Sequence, residues 1–246
     1  MRKKCLIRQP AGLGDIIYCL YIAERIIEKY NCDIIWPVIS QYKFISDYIQ
    51  IDHLTFVDET ENFPHKDIYT SNCRSIINND SYMYIPLQFS DQILPNDLIM
   101  VSKYNLVGLN TDDWKRSLNF KRNSIKEDEL YYKTLKLHDD TKFIFVNSLY
   151  ASPPDTRHID NINISDNSQH VVDLQYITGY NPFDWCKVME RADEIHSVDT
   201  CYTFLLEFLN LSASNINIYS RVRAPDSPTF SETKWLFSDK FSWVHN

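Results

Sequence analysis

Apolar and polar residues alternate along the chain in a pattern typical of strands and helices that follow one another. The apolar run 4–8 predicts a strand, and residues 16–27 then carry apolar side chains at helical spacing, with charged residues between them. A second apolar run, 33–39, predicts the next strand. Because a glycine-containing turn at 9–14 joins the first strand to the helix, the sequence predicts the strand–helix–strand unit that opens a doubly wound parallel sheet.

The same alternation continues to the end of the chain. Further strands are predicted at 54–57, 82–85, 106–109, 142–147, 170–174, 194–198 and 215–219, and further helices at 127–137, 183–192 and 202–209. A charged stretch separates two groups of strands, so the predicted fold class is α/β, with two Rossmann-like domains, 1–138 and 139–225, that face a cleft. The aromatic tail 226–246 is predicted to pack back on the first domain.

Charge and cysteine content narrow the function classes. The formal net charge is -8, and an acidic surface repels the phosphate backbone, which disfavours duplex DNA as the main partner. The 6 cysteines form no CxxC pair and none shares a ligand spacing with histidine, which argues against a zinc site and favours reduced thiols in the cytoplasm. No apolar run approaches the ~20 residues that span a bilayer. Abundant Asn, Ile and Tyr indicate an AT-rich genome, and the short chain suggests a viral or phage source.

The first candidate motif is the turn Gly12–Asp15 after the first strand. Its two glycines, Gly12 and Gly14, allow close approach of a ligand to the backbone, and the following helix directs unpaired N–H groups toward an anion. The motif is not a GxGxxG fingerprint, because Ile17 occupies the third glycine position. Asp15 has two interpretations: it caps the helix, or it is a general base at the carboxyl end of a parallel strand.

The second candidate motif is Ser197–Thr203, where a strand ends and hydroxyl residues open a helix. Free N–H groups, the helix dipole and the hydroxyl groups together favour an anion, although an ordinary capped helix has the same sequence pattern. The long polar loop 148–166 is a third candidate, with Asn147, Ser148, Ser152 and Arg157. Arg157 would clamp a phosphate bidentately, or it is a surface arginine with no such role.

The fourth candidate is the pair Gln175 and Tyr176, which follows the predicted strand 170–174. In a parallel sheet this position lies at the edge where ligands bind, so the pair would hold a nucleobase. Packing of the aromatic ring is the alternative. The seven histidines are scattered, and His158, His170 and His196 are interpreted as structural or surface residues.

Two segments together resemble the heptosyltransferase-like glycosyltransferases of family 9. The opening segment Leu6–Ile17, with its Gly12–Asp15 turn, is similar to the first strand and helix of that family. The closing segment Gly179–Leu209 is similar to the family pattern of helix, strand and an Asp-Thr pair that opens the next helix. The chain departs from the pattern at Cys201, where family members usually carry glycine, and at Thr203 and Phe204, where they usually carry histidine.

The resemblance implies a compact GT-B fold with an acceptor domain followed by a nucleotide-sugar domain. It also implies inverting, metal-independent transfer from a nucleotide-diphosphate sugar, with no other cofactor, and Asp15 as the general base. The remaining site residues are expected to bind the acceptor (Gly12 and Leu13) or the donor (Gly14, Asn147, Ser148, Arg157, Gln175, Tyr176, Asp199, Thr200, Cys201 and Tyr202).

The acceptor is unidentified: a glycan is expected, and modified nucleic acid is the less favoured alternative. Two other functions stay open at this point. One is a non-catalytic nucleotide-sugar binding module, and the other is a hydrolase or epimerase that acts on the nucleotide sugar itself.

Overall fold

The chain forms two compact units, Met1–Lys121 and Arg122–Asn246. Each unit is built on a five-stranded sheet whose neighbouring strands are almost all parallel, so the predicted α/β class is confirmed. The structure is a computed structural model that describes residues 2–117, 120–150, 157–160, 162–164, 169–221 and 233–244.

The first unit contains five strands and six α-helices within its described residues. The strands are β1 (Lys3–Ile7), β2 (Cys32–Val38), β3 (Leu54–Asp58), β4 (Ile77–Asn78) and β5 (Tyr82–Ile85). The helices are α1 (Leu13–Tyr18), α2 (Leu20–Tyr30), α3 (Ile45–Tyr48), α4 (Lys66–Thr70), α5 (Ser90–Ile93) and α6 (Ile99–Asn105). Short 3-10 helices occur at Ser40–Tyr42, Leu87–Phe89 and Thr111–Ser117.

The strand order of the first sheet creates a binding edge beside β1. The order is β3-β2-β1-β5-β4, and only β4 runs antiparallel to its neighbour. The chain moves outward from β1 to β3 and then returns to the other side of β1 as β5. In open parallel sheets this reversal opens a crevice at the carboxyl ends of the two diverging strands. The crevice of the first unit therefore lies at the ends of β1 and β5.

Apolar side chains cover both faces of the first sheet. On one face Leu6 and Tyr84 pack with Phe63 and Tyr69. Buried residues of α1 and α2, including Ile16, Ile22 and Ile26, supply a second apolar layer. Burial of each such side chain contributes about 1.5–3 kcal/mol relative to exposure. The strong helical pattern of residues 16–27 is therefore confirmed as α1 and α2, which break at Cys19.

The second unit has the same construction. Its strands are β6 (Phe143–Asn147), β7 (His170–Asp173), β8 (Glu194–Val198), β9 (Asn215–Tyr219) and β10 (Ser242–Val244). Its α-helices are α7 (Ser124–Asp128), α8 (Cys186–Arg191) and α9 (Cys201–Phe208). A π-helix, Glu129–Thr134, follows α7, and a 3-10 helix, Pro182–Trp185, precedes α8.

The second sheet is parallel between all of its neighbouring strands, in the order β10-β9-β8-β6-β7. This is the 2-1-3-4-5 order of doubly wound folds, in which the chain reverses direction at the first strand. The reversal lies between β6 and β8, so the crevice of this unit lies at Asn147 and Val198. The predicted residues of the second motif follow Val198 directly.

The division between the units comes earlier in the sequence than the predicted boundary at 138–139. Arg122 belongs to the second unit because its guanidinium donates to Glu127, with Nε to Oε1 at 2.6 Å, and to Glu190, with Nη1 to Oε1 at 3.0 Å. These bonds attach α7 to α8. The charged stretch was predicted to close the first domain, but its helical part packs on the second unit.

The described part of the tail also belongs to the second unit. β10 pairs with β9 in parallel, and Phe237 contacts Phe204 of α9 at a ring-centroid distance of 4.9 Å. Ser242–Val244 thus extend the second sheet and Phe237 packs on α9, which differs from the predicted packing on the first domain. The remainder of the predicted tail, 226–232 and 245–246, lies outside the described residues.

The predicted strand at 106–109 is wrong. These residues close α6 with a Schellman turn, in which Leu109 N–H donates to Tyr104 O at 3.0 Å and Gly108 N–H to Asn105 O at 3.1 Å. Gly108 has a φ of 72°, the left-handed conformation that this turn requires. The apolar sequence of this segment reflects its packing as a helix end.

Buried His196 makes the stability of the second unit depend on pH. Its side chain is buried on β8, where Nδ1 lies 2.8 Å from Tyr219 Oη and Nε2 lies 3.0 Å from Glu194 Oε1. Burial lowers the pKa of His196, and Glu194 offsets this only in part. The unfolded chain therefore binds a proton at this residue more readily, and the stability present above about pH 6.5 is lost as pH falls.

We expect His196→Gln to reduce the loss of stability between pH 7.5 and pH 5.5. The free energy of unfolding is measured by urea denaturation at both pH values for wild type and variant. His170→Gln, at an exposed position on β7, is the control for loss of an imidazole. An equal or larger pH dependence in His196→Gln than in wild type would contradict the assignment.

Candidate functional site

The turn after β1 is held by its own backbone and by its neighbours. Gly12 has a φ of 77° and stands at the N-cap of α1, with no side-chain hydrogen bond to the helix. Gln9 is buried; its carbonyl oxygen accepts from Trp36 Nε1 at 2.9 Å and its amide Nε2 donates to Ala11 O at 2.7 Å. The strand end and the helix start are therefore fixed relative to one another.

Asp15 lies in the first turn of α1, and its carboxylate contacts a buried lysine. Lys103 of α6 has a side chain that is only 3% exposed, and its Nζ lies 3.3 Å from Asp15 Oδ1. The same ammonium group donates to Gln9 Oε1 at 2.6 Å and lies 3.4 Å from Leu87 O. Three acceptors match the three hydrogens of the ammonium group. Asp15 is thus paired through its side chain and does not cap the helix by a hydrogen bond.

The Asp15 carboxylate has one oxygen occupied and one directed to the turn. Oδ1 faces Lys103, while Oδ2 lies above Gly12, so close that a Cβ at position 12 would overlap it. The side chain as a whole is 35% exposed. The carboxylate is thus partly exposed at the carboxyl end of β1, the position predicted for a general base.

The other predicted residues of this turn contribute differently. The side chain of Leu13 is buried in the core. The predicted contact of Leu13 with an acceptor would therefore be made by its backbone atoms. Gly14 is partly exposed in the first turn of α1. Burial raises the pKa of the neighbouring Cys19 to about 12, which keeps this thiol neutral beside Asp15 and Lys103.

Lys103 and Gln9 are site residues that sequence reasoning missed. Gln9 was placed in a turn without a role, and α6 was not predicted. The sequence does carry a pattern that predicts α6. Met100, Lys103 and Tyr104 lie at helical spacing, and Met100 and Tyr104 are large apolar side chains. A lysine in such a stripe faces the core and needs an acidic partner.

In the second unit the end of β6 is joined to the end of β8 by a buried amide. Asn147 is fully buried, and its Nδ2 lies 3.1 Å from Ser197 Oγ and 3.4 Å from Thr200 Oγ1. Its Oδ1 accepts from Leu149 N–H at 3.1 Å. Asn147 therefore uses its hydrogen bonds within the protein and positions the residues that open α9.

Thr200 stands at the N-cap of α9, and its hydroxyl group donates no hydrogen bond to the residues that the structure describes. Oγ1 accepts from Tyr202 N–H and from Asn147 Nδ2, both at 3.4 Å. A hydroxyl has two acceptor positions and one hydrogen to donate. The described residues occupy the two acceptor positions and offer no acceptor for the hydrogen. Thr200 is partly exposed, so this O–H would meet an oxygen of a bound ligand.

Asp199, in contrast, is turned into the protein. Its side chain is buried, and burial raises its pKa while Arg221, Thr233 and Thr203 act in the opposite direction. The carboxylate therefore bonds to protein groups near the start of α9. Arg221, which follows β9 and is exposed, brings a positive charge to this region and was not recognised in the sequence.

Cys201 and Tyr202 form the first turn of α9. Cys201 is partly exposed, and burial of its thiol raises the pKa to about 12, so the neutral form is retained. The Tyr202 side chain is buried, which raises its pKa well above the ordinary value. Tyr176 contributes to the same shift and therefore lies near α9.

The loop after β6 and the turn after β7 complete the set. Ser148 and Arg157 lie beside an antiparallel bridge between Leu149 and His158, where Ile159 N–H donates to Ser148 O and Tyr150 N–H to Arg157 O. The side chains of Arg157, Gln175 and Tyr176 are exposed. Ser152, together with 151–156, 161 and 165–168 of the predicted loop, lies outside the described residues.

The described residues contain no group of three or more His, Cys, Asp or Glu side chains arranged to hold a metal ion. In the same part of the chain no helix has the length and apolar character needed to cross a bilayer.

The fold is similar to that of solved glycosyltransferases. One is a family 9 glycosyl transferase from Veillonella parvula, with a TM-score of 0.53 at 13% identity over 99% of this chain and 86% of that chain. Another is the dodecameric iron-containing glycosyltransferase TibC of enterotoxigenic E. coli, with a TM-score of 0.50 at 10% identity over 91% of this chain. This chain spans 60% of the length of TibC. The sequence-based resemblance is thus confirmed at the level of the fold.

Neither a protein-family model nor a curated protein matches the sequence.

The position of Gly12 allows a direct test of the turn. A left-handed backbone costs a residue with a Cβ about 1–2 kcal/mol. We expect Gly12→Ala to destabilise the protein by more than this, because the new Cβ also displaces Asp15 Oδ2. The free energy of unfolding is measured by urea denaturation.

Gly108→Ala is the matched control for this variant. Gly108 has a similar φ of 72°, but an added Cβ would meet no atom within 4 Å. Its loss of stability therefore reports the backbone cost alone. Equal losses in the two variants would show that Asp15 does not occupy the space above Gly12.

Proposed function

We propose that the protein is a glycosyltransferase that moves a sugar from a nucleotide-diphosphate sugar to an acceptor hydroxyl, with Asp15 as the general base. The observation that carries the proposal is the arrangement of the Asp15 carboxylate. One oxygen, Oδ1, is held by buried Lys103, and the side chain as a whole is 35% exposed in the turn that follows β1. A base in this position accepts a proton from a hydroxyl that lies within hydrogen-bonding reach.

Lys103 fits the part of a residue that positions the base. A salt bridge and two further acceptors fix its ammonium group, so Oδ1 cannot turn toward the crevice without breaking the pair. Oδ2 is then the proton acceptor. A base whose rotamer is set before the substrate binds loses less free energy to ordering in the transition state.

The donor part of the proposal rests on Thr200 and the start of α9. The unused hydrogen of the Thr200 hydroxyl would be donated to a phosphate oxygen, and the N-terminal end of α9 favours negative charge. Arg221 and Arg157, both exposed, are the cations we assign to the diphosphate. Gly14, Ser148, Gln175, Tyr176, Cys201 and Tyr202 remain predicted donor contacts, whereas Asn147 and Asp199 support the residues that make them.

The proposed reaction is a single displacement at the anomeric carbon. Asp15 Oδ2 takes the proton of the acceptor hydroxyl, and the acceptor oxygen forms the new bond to the anomeric carbon from the face opposite the leaving group. The bond between that carbon and the diphosphate oxygen breaks, and the nucleoside diphosphate leaves with the electron pair. This sequence inverts the anomeric configuration. Positive groups near α9 stabilise the charge that develops on the leaving diphosphate.

Several expectations from the sequence belong to the same proposal. The first unit would bind the acceptor, through the backbone at Gly12 and Leu13, and the second unit would bind the donor. The reaction would proceed without a metal ion in the cytoplasm. A glycan is the expected acceptor.

We expect Asp15→Asn to lower kcat by about 10²–10⁴-fold, the usual contribution of general-base catalysis, while donor affinity stays unchanged. Asparagine retains an oxygen that accepts from Lys103, so the turn keeps its geometry. The measurement is release of nucleoside diphosphate with and without a panel of glycan acceptors. Asp67→Asn, an exposed aspartate in the first turn of α4, is the matched control.

The same assay separates the alternative functions. A hydrolase would release nucleoside diphosphate without any acceptor, whereas a binding module or an epimerase would release none; an epimerase is recognised by the changed sugar in the recovered donor. Acceptor-dependent release that survives in Asp15→Asn would refute the assignment of the base.

We expect one nucleoside diphosphate among UDP, GDP, ADP, CDP and dTDP to raise the melting temperature. A ligand that binds only the folded state stabilises it by about 2.7 kcal/mol at a hundredfold excess over its Kd. Thr200→Val should weaken this binding by about 10- to 100-fold, because it removes a hydrogen bond to a charged oxygen.

Thr200→Ser is the control for this variant, since serine keeps both the hydroxyl and the N-cap. Its affinity should lie close to that of wild type. If Thr200→Val binds the nucleotide as tightly as Thr200→Ser does, the hydroxyl does not contact the diphosphate.

A further inference from the structure

A groove in the first unit shares no lining residue with the turn of Asp15. It has a volume of about 390 Å³ and runs between the second half of α2, the β4–β5 edge of the sheet and the turn 106–109. α2 ends at Tyr30, just before β2 begins at Cys32. The α2 wall therefore lies toward the amino ends of the parallel strands, whereas Ile85 lines the groove from the carboxyl end of β5. Small-molecule sites typically occupy about 300–1,000 Å³.

The floor and the mouth of the groove are apolar. Ile26, Met83 and Ile85 line it as nearly fully buried side chains. Ile76 and Tyr30 stand at its mouth, 43% and 37% exposed, and both are among the most exposed large apolar residues of the described chain. Exposed apolar side chains that converge on one concave surface mark a binding site more often than scattered ones do.

One wall of the groove is rigid. Leu106, Val107 and Leu109 line it from the Schellman turn that closes α6, where the backbone hydrogen bonds to Tyr104 and Asn105 fix the chain. A wall held by backbone bonds exists before a ligand arrives, so little conformational entropy is lost on binding.

The charged rim favours an anion. Arg25, Glu28 and Lys29 line the opening, and Arg25 is paired with Glu28. Within the described residues Lys29 has no carboxylate partner, and its Nζ lies 5.1 Å from the centre of the Tyr30 ring. The rim therefore carries one positive charge in excess, in a protein whose formal net charge is -8.

We infer that this groove binds a small amphipathic anion, with an apolar body against Ile26, Met83 and Ile85 and an anionic group beside Lys29. Among the described lining residues Asn78 is a neutral side chain that can donate a hydrogen bond, whereas Ile26, Met83 and Ile85 offer only apolar contact. The site is independent of the proposed transferase activity, because none of its residues belongs to the turn of Asp15 or to the start of α9.

The test uses two fluorescent probes with related aromatic bodies. 8-Anilinonaphthalene-1-sulfonate carries one negative charge, and N-phenyl-1-naphthylamine is neutral. Both are titrated into the full chain. We expect both to bind at about one per chain, with the sulfonate bound more tightly because of Lys29.

Two variants locate the probes. Ile76→Glu places a negative charge at the mouth and should weaken sulfonate binding by about tenfold or more, and Lys29→Gln by about two- to fivefold. The matched controls are Ile125→Glu, an isoleucine 72% exposed on α7, and Lys133→Gln, a lysine 75% exposed in the π-helix. The neutral probe should respond to Ile76→Glu and not to Lys29→Gln.

Three results would overturn the inference. The first is the absence of fluorescence enhancement. The second is weakening by the control variants as large as by Ile76→Glu or Lys29→Gln. The third is loss of probe binding when the protein concentration is raised tenfold, which would show that a second copy of the chain covers the groove.

Discussion

The buried positive charge of Lys103 is the constraint on which the site of the first unit depends. An ammonium group removed from water is tolerated only when a counter-charge and hydrogen-bond acceptors surround it. Its acceptors come from Asp15 in α1, from Gln9 after β1 and from Leu87 after β5. The two strand ends and the two helices meet at this one atom, so the fold as a whole sets the position of the Asp15 carboxylate.

The second unit meets a similar requirement with neutral groups. Asn147 is buried where β6 ends, and it joins Ser197 and Thr200 at the end of β8. Its Nδ2 donates to the hydroxyl groups of Ser197 and Thr200, and its Oδ1 accepts from Leu149 N–H. Within the described residues the hydrogen of the Thr200 hydroxyl is then left for a ligand. Both units thus place their polar side chains where the strand order reverses, because the connections that leave the two adjacent strands diverge there and open a crevice.

The strands and the main helices could be predicted from the sequence because their signals are local. The apolar run of β6 and the helical spacing of α1 and α2 each lie within a short window. Residues 106–109 show the limit of this approach, since an apolar helix end and a short strand have the same composition. The unit boundary shows another, because the Arg122 bonds that define it reach Glu190, 68 residues away.

The site was predictable only as far as its motifs are contiguous. Asp15 and Thr200 stand in recognisable turns after strands, and the structure places both at the crevices. Lys103 binds Gln9 across 94 residues, and no local pattern shows that pairing. Asp199 was predicted to bind the donor; its side chain is buried and bonds to Thr233, and no local pattern in the sequence shows a pairing between residues so far apart.

The pairing of Asp15 with Lys103 also restricts how this sequence can diverge. A change of Asp15 to an apolar residue strands a positive charge in the core, and a change of Lys103 to an apolar residue leaves Gln9 and Leu87 without their donor. Either intermediate is less stable than its ancestor. A lineage that abandoned catalysis would therefore tend to retain both residues, and their joint presence in a descendant records its ancestry as much as its activity.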